Sequence, residues 1–173
     1  MVCQTLRLKG FHVDIFLVRH AKSEHNPSRW RSDASRPLSA RGESRQHRAA
    51  CGMVKAGLTF AEAWVSPMRR AQQTLDIILK AYPAVPVVER AELAVCEPAS
   101  AVKSLLAEAY ASNPSRKLLL VGHNPNMSDL LELLGGDAYM RTSDLAWIGW
   151  DEQGPRELKF FPRGELMKGA DDD

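Results

Sequence analysis

"VDIFLVRHAKSEHN", residues 13–26, changes character halfway along. From Val13 to Val18 it is β-branched or apolar apart from Asp14, and it reads as a buried strand. The run then ends abruptly in Arg19 and His20, and Lys22, Ser23, Glu24, His25 and Asn26 follow. A strand has no use for those groups, and a turn is more readily built from Gly or Asp. "KLLLVGHNP", residues 117–125, repeats the event: the clearest buried strand of the chain, 117–121, gives way to Gly122 and His123.

Between and beyond these two runs, apolar strands alternate with helical patterns, which predicts an α/β chain with a largely parallel sheet. Ser39 opens a helical stretch in which Ala49, Ala50, Met53 and Val54 have core spacing and Gly57 is the stop. A short strand at 63–65 ends at Ser66, and Pro67 opens a helix over about 68–81, with Ala71, Leu75, Ile78 and Leu79 inward. "VPVVE" is a weak third strand. Ser100 is read as the cap of a helix to about Ala111. Asn124 is read as an N-cap, with Pro125 at the first position of a helix to Leu134. "LAWIGW" and "RELKFF", joined by "DEQGP", predict an antiparallel hairpin at the sheet edge.

At 173 residues the chain suits one well-buried core, so residues 1–173 are expected to form a single domain. Residues 1–11 suggest an extra strand or an extension, and 168–173, ending in three aspartates, a solvated tail. The formal charge of +2 gives no electrostatic case for nucleic acid or a membrane surface. No segment approaches the roughly 18 apolar residues of a membrane span. Cys3, Cys51 and Cys96 are odd in number and lack metal-ligand or CxxC spacing, which suits reduced thiols in the cytoplasm.

In an open α/β sheet, ligands bind beyond the carboxyl ends of the strands. If their strands are parallel neighbours, His20 and His123 share that rim. A third strand delivers Ser66 there, and the next helix carries Arg69 and Arg70 in its first turn. Arginine forks, imidazoles and helix N-termini together favour a phosphate-like dianion. Taken singly, each residue has a plainer reading. A histidine at a strand end is usually a satisfied core or loop residue, and paired arginines usually form a solvated helix face. Ser23 and Asn26 would be turn formers, and Glu97 a surface carboxylate. His12, His25 and His47 are read as structural or solvent-facing. His20 and His25 do not have HExxH spacing, and no Asp or Cys cluster completes a metal site.

Three segments carry a resemblance. "LVRHAKSEHN" resembles the signature of the histidine phosphatase (phosphoglycerate mutase-like) superfamily, matched at Arg19, His20, Ser23 and Asn26. "SPMRRAQQT", residues 66–74, resembles its second motif, whose arginine is here Arg70, and "VGHNP" carries the second histidine, His123. Within the superfamily, "RHAKSE", "RPLSARG" with Arg36, and "GHNP" are similar to the SixA-type phosphohistidine phosphatases. The resemblance implies a three-layer sandwich, with a mostly parallel central sheet, helices on both faces and an antiparallel edge hairpin. There are two departures: Ala21 stands where Gly is commoner, and the superfamily's usual acidic glutamate has no clear counterpart, Glu97 and Glu92 being the candidates.

The resemblance further implies a metal-independent phosphatase with no cofactor. His20 would be the nucleophile, with Arg19, Arg70 and His123 stabilising charge and Ser23, Asn26 and Arg36 binding substrate. Glu97 would be the acid if one exists. The expected substrate is phosphohistidine in a protein, since a leaving imidazole asks less of an acid than an alkoxide does. The alternatives are a small phosphomonoesterase, favoured if Glu97 reaches the pocket, and a non-catalytic phosphate-binding module on the same fold. The short segment between Thr74 and Val121 leaves little room for a lid and disfavours a mutase.

Overall fold

The computed structural model describes residues 13–26, 29–112 and 116–168. The segment expected as an extra strand, 1–11, and nearly all of the expected tail lie outside these, as do Cys3 and His12.

Strand β1 (Val13–Arg19) is buried on both faces, and its two-residue period divides the interior in two. Val13, Ile15 and Leu17 enter one core and Phe16 and Val18 the other. Strand β4 (Lys117–Gly122) lies parallel beside it in the register Leu17↔Leu120 and Arg19↔Gly122, and sorts Leu118 and Leu120 from Leu119 and Val121 in the same way. Strands β2 (Glu62–Val65) and β3 (Val87–Glu89) extend the parallel part outward. Strands β5 (Leu145–Asp151) and β6 (Gly154–Phe161) form the antiparallel hairpin on the other side. The six-stranded order is β3-β2-β4-β1-β5-β6.

Helices α3 (Ala99–Ser112) and α4 (Asn126–Leu133) close the first core with Val102, Leu106, Ala109, Leu130 and Leu131. Helices α1 (Ala40–Lys55), α2 (Arg69–Leu79) and α5 (Arg163–Lys168) close the second with Ala49, Met53, Leu75, Ile78 and Leu166. This is the expected three-layer α/β sandwich.

Several boundaries fall as the sequence predicts. Ser39 caps α1 through its side chain, and Gly57, at φ +71°, follows the helix end. Two do not. Helix α3 begins at Ala99, directly after Pro98, so Ser100 lies inside it and caps nothing. Helix α4 begins at Asn126 with Pro125 as its N-cap. The Asn124 amide is drawn instead to the Met140 carbonyl and Ser128 Oγ, both at 2.9 Å.

The first turn of α1 presses on the loop leaving β1. The Lys22 carbonyl accepts from Ser39 N–H at 3.0 Å and Ser39 Oγ at 3.1 Å. A Cβ at Gly42 would stand 1.9 Å from that carbonyl oxygen, which is backbone and has little freedom to yield. Gly42→Ala should therefore push the loop after His20 out of place and cost about 1–3 kcal/mol, the usual range for overpacking. Urea denaturation of wild type and variant measures this; equal midpoints would contradict it.

Candidate active site

Parallel pairing brings three chain exits to one rim. His20 N–H donates to the Gly122 carbonyl at 2.9 Å, and Ser66 N–H to the Val121 carbonyl at 3.1 Å. His20, Ser66 and His123 therefore leave β1, β2 and β4 side by side. The two imidazoles lie 4.8 Å apart between ring centroids, at 54° to each other, and are 7% and 1% exposed.

They line a cavity of about 300 Å³ together with Arg19, Ser23, Arg36 and Arg70. Lys22, Asp33, Asn124 and Thr142 also line it, and so does His25, expected to be structural or solvent-facing and itself exposed. Asn26 and Glu97 are exposed, and neither they nor Glu92 belong to the lining. Glu97 precedes Pro98, and the contact it makes to the Asn126 side chain uses its backbone carbonyl. Neither candidate acid is thus among the residues that line the pocket. Arg69 is exposed, while Arg70, one step around α2, is 2% exposed and turned inward.

The two imidazoles differ in how their protons are fixed. His20 Nδ1 lies 2.6 Å from the Ala21 carbonyl oxygen, which can only accept, so Nδ1 carries the proton and Nε2 keeps its lone pair. His123 Nε2 lies 2.8 Å from Ser66 Oγ, which also accepts from Met68 N–H at 3.3 Å. The Ser66 hydroxyl keeps a second lone pair and its own proton, so it can accept from Nε2 or donate to it; when it donates, the His123 proton stands on Nδ1 and is free for an anion.

The charge balance of the pocket rests on a residue the sequence reading missed. Asp33 sits in a short 3-10 turn (Asp33–Ser35) and takes Arg70 Nη2 at 3.0 Å on one carboxylate oxygen and Arg36 Nε at 2.9 Å on the other. Its carbonyl accepts Arg70 Nη1 at 2.9 Å. Arg36 Nη1 continues to Ser23 Oγ at 2.5 Å and to the Glu24 carbonyl at 2.9 Å. Arg19 Nη1 is held by the Met140 carbonyl at 3.0 Å.

Burial would raise the Asp33 carboxyl, but the Arg36 hydrogen bond and the Arg70 charge outweigh it and hold it below the usual range. Burial lowers His20 to about 3, against the Ala21 hydrogen bond and with the help of the Arg70, Arg19 and Arg36 charges. His123 is lowered to about 2, by burial first and then by His20 and Arg70. Both rings are neutral at physiological pH.

Four buried polar atoms of this lining have no partner among the described residues: Arg19 Nε, Arg70 Nε, His123 Nδ1 and Asn124 Oδ1. Two of them are guanidinium donors, which suit an oxyanion. Among the described residues, no group of three or more His, Cys, Asp or Glu side chains could hold a metal ion.

Two neutral imidazoles in an arginine-lined oxyanion pocket, at the carboxyl ends of parallel strands, define a phosphatase of the two-histidine kind. The comparisons agree: residues 15–97 match the model of the histidine phosphatase superfamily (branch 1). It is 29% identical to an uncharacterized protein of Picosynechococcus sp. over 70% of this chain and 73% of that one. Its fold matches the protein histidine phosphatase SixA, solved in complex with tungstate, with TM-score 0.77 and 23% identity over 88% of this chain and 99% of the other. It also matches a protein of Agrobacterium tumefaciens assigned as SixA, with TM-score 0.75 and 25% identity over 87% and 98%.

The lowered imidazoles have a consequence for stability. In the unfolded chain both titrate near 6.5, and in the folded one near 3 and 2. Between these values the unfolded chain binds more protons, so their contribution is complete above 6.5 and is lost as pH falls toward 3. The loss should approach about 1.4 kcal/mol per pH unit for each histidine. Urea unfolding at pH 6.5, 5.5 and 4.5 should show this slope, and His123→Asn should roughly halve it. A flat profile over that interval would be the contrary result.

Proposed function

We propose that this phosphatase hydrolyses phosphohistidine in proteins through a phosphohistidine intermediate on His20. The observation that carries the substrate class is the absence of an available acid. Asp33 is the one carboxylate in the described lining, and Arg36 and Arg70 hold it ionised. A departing imidazole leaves as a reasonably stable base. An alkoxide does not, and its departure normally relies on a positioned acid contributing about 10²–10⁴-fold in rate. The likeness in fold to a protein histidine phosphatase agrees with this reading.

The reaction follows from the proton arrangement. Nε2 of neutral His20 attacks phosphorus in line with the leaving nitrogen. The P–N bond to the substrate breaks, and its electron pair returns to the substrate ring, which carries a proton on its distal nitrogen and so leaves as neutral imidazole. Arg19, Arg70, Arg36 and His123 Nδ1–H offer donors to the three equatorial oxygens, where phosphoryl transfer spreads its charge. Water then attacks the phosphorus on His20, the P–Nε2 bond breaks, and inorganic phosphate leaves with His20 neutral again. Ser23 holds Arg36 through its hydroxyl. Because His20 is neutral far below pH 7, it is ready to attack without first losing a proton. A non-catalytic module would have no need of a nucleophile in that state.

His20→Ala should remove both turnover and the acid-labile phosphoenzyme. Arg70→Ala should lower the rate by about 10²-fold or more, as for loss of a preorganised charge stabiliser. A panel of a phosphohistidine-bearing protein, an aryl phosphate and an alkyl phosphate should be hydrolysed in that order of rate. Glu97→Gln should leave all three nearly unchanged. Fast alkyl-ester cleavage that collapses in Glu97→Gln would make the protein a small-molecule phosphatase with Glu97 as its acid.

A further inference from the structure

Cationic side chains continue beyond the cavity on one side. Thr142, in the cavity lining, accepts from Arg163 Nη1 at its hydroxyl (2.9 Å) and its carbonyl (3.4 Å). Arg163 opens a groove of about 450 Å³ that Arg141 and Tyr139 share, with Phe160 and Pro162 as its apolar surface. Asp144 also lines this groove. Its two carboxylate oxygens are engaged by the backbone N–H groups of Arg141 and Arg163 at 2.6 and 2.7 Å.

Past Arg163 the cations run onto helix α1. Arg41, Arg45 and Arg48 recur at the four- and three-residue spacing that places side chains on one helical face, a row about 10 Å long. This face meets α5, since Arg48 Nη2 reaches the Met167 carbonyl at 3.5 Å, and Arg45 lies within electrostatic reach of Arg41, Arg48 and Arg163. Among the described residues, Arg41, Arg45 and Arg163 have no carboxylate at ion-pair distance. Gathering like charges without counterions opposes folding through mutual repulsion, and the hydrolysis of a phosphoryl group inside the cavity makes no use of them.

On the layer of α4, across the sheet from α1, the sign changes. Tyr139 also borders a second cavity, lined by Asp129, Glu132 and Asp137. A partner approaching the active site therefore meets acid on one flank and arginine on the other.

We propose that the groove at Arg163 and the arginine row of α1 dock an acidic face of the phosphoprotein substrate, holding its phosphohistidine over His20. The proposal rests on the phosphohistidine reading above and adds the surface that selects the partner. Charge complementarity of this kind guides association and excludes wrong partners more than it tightens a pocket. The acidic flank forbids the reversed orientation, because like charges would then face each other.

The test uses two synthetic phosphohistidine peptides, one with an arm rich in Asp and Glu and one with the matching Asn and Gln arm, together with p-nitrophenyl phosphate. Wild type should prefer the acidic peptide about tenfold in kcat/KM, the combined effect of several exposed ion pairs, and the difference should lie mainly in KM. The preference should shrink at 0.5 M salt, where the screening length falls to a few ångströms. Arg41→Glu with Arg45→Glu should reverse the preference while leaving p-nitrophenyl phosphate hydrolysis unchanged. Arg41→Gln with Arg45→Gln, which neutralises the row, should reduce the preference and serves if the reversed variant does not fold. Hydrolysis of both peptides at equal kcat/KM would overturn the docking surface and leave the substrate class standing. Hydrolysis of p-nitrophenyl phosphate with neither peptide used would overturn the substrate class and the docking surface with it.

Discussion

Everything at the site depends on the register between β1 and β4. With Arg19 opposite Gly122, the next residues of the two strands are one histidine each, and the 4.8 Å between their rings follows from the spacing of adjacent strands. A slip of one residue would carry every side chain of β1 to the other face, exchanging the contents of two dry cores. That is a heavy cost, since Ile15, Leu17 and Val18 are at most 1% exposed. The catalytic geometry is thus guarded by hydrophobic burial and not by the polar groups themselves.

The same two-residue period explains how the oxyanion comes to be surrounded. Arg19 continues the series Val13, Ile15, Leu17 and reaches the Met140 carbonyl, on the side of the α3–α4 core. His20 continues the series Phe16, Val18, and the next residue, Ala21, donates its N–H to Thr74 Oγ1 of α2 at 3.0 Å. Consecutive residues emerge toward opposite layers, so guanidinium groups enter the pocket from both: Arg19 from one and Arg70 from the other. Burial, helped by the Arg70 charge, keeps both histidines neutral. In the mechanism proposed above one neutral imidazole is the nucleophile and the other a donor, and a pocket with several cations needs no protonated ring to hold a dianion.

Strand-end histidines and Arg70 are legible because each is announced locally, by an apolar run that stops or by a residue at a helix start. The alternation of strands and helices is legible for the same reason, down to Gly57 ending α1. Asp33 is not. It lies in the polar stretch "RSDASR", where nothing separates it from a solvated loop acid, and its partner Arg70 is 37 residues away in sequence. Only the folded chain pairs them. Asn124 fails for a related reason: Asn before Pro is a sound capping signal, but a tertiary acceptor at Met140 outweighs it. Glu97 has no motif around it, so its sequence suits a surface carboxylate as well as an acid, and no local pattern records that the residue faces solvent.

Net charge shows a further limit of composition. A value of +2 gives no reason to expect an electrostatic partner, and it is a sum over surfaces that differ. Arg41, Arg45, Arg48 and Arg163 stand on one flank of the active site, and Asp129, Glu132 and Asp137 on the other. Opposite fields on the two flanks cancel at a distance and act only within about a Debye length, roughly 8 Å at physiological ionic strength. A free phosphate ester small enough to sit wholly in the cavity would sense little of that division. A macromolecule that presents a phosphoryl group on its surface must lie across both flanks, and it is only for such a substrate that the segregation of charge around His20 has an energetic consequence.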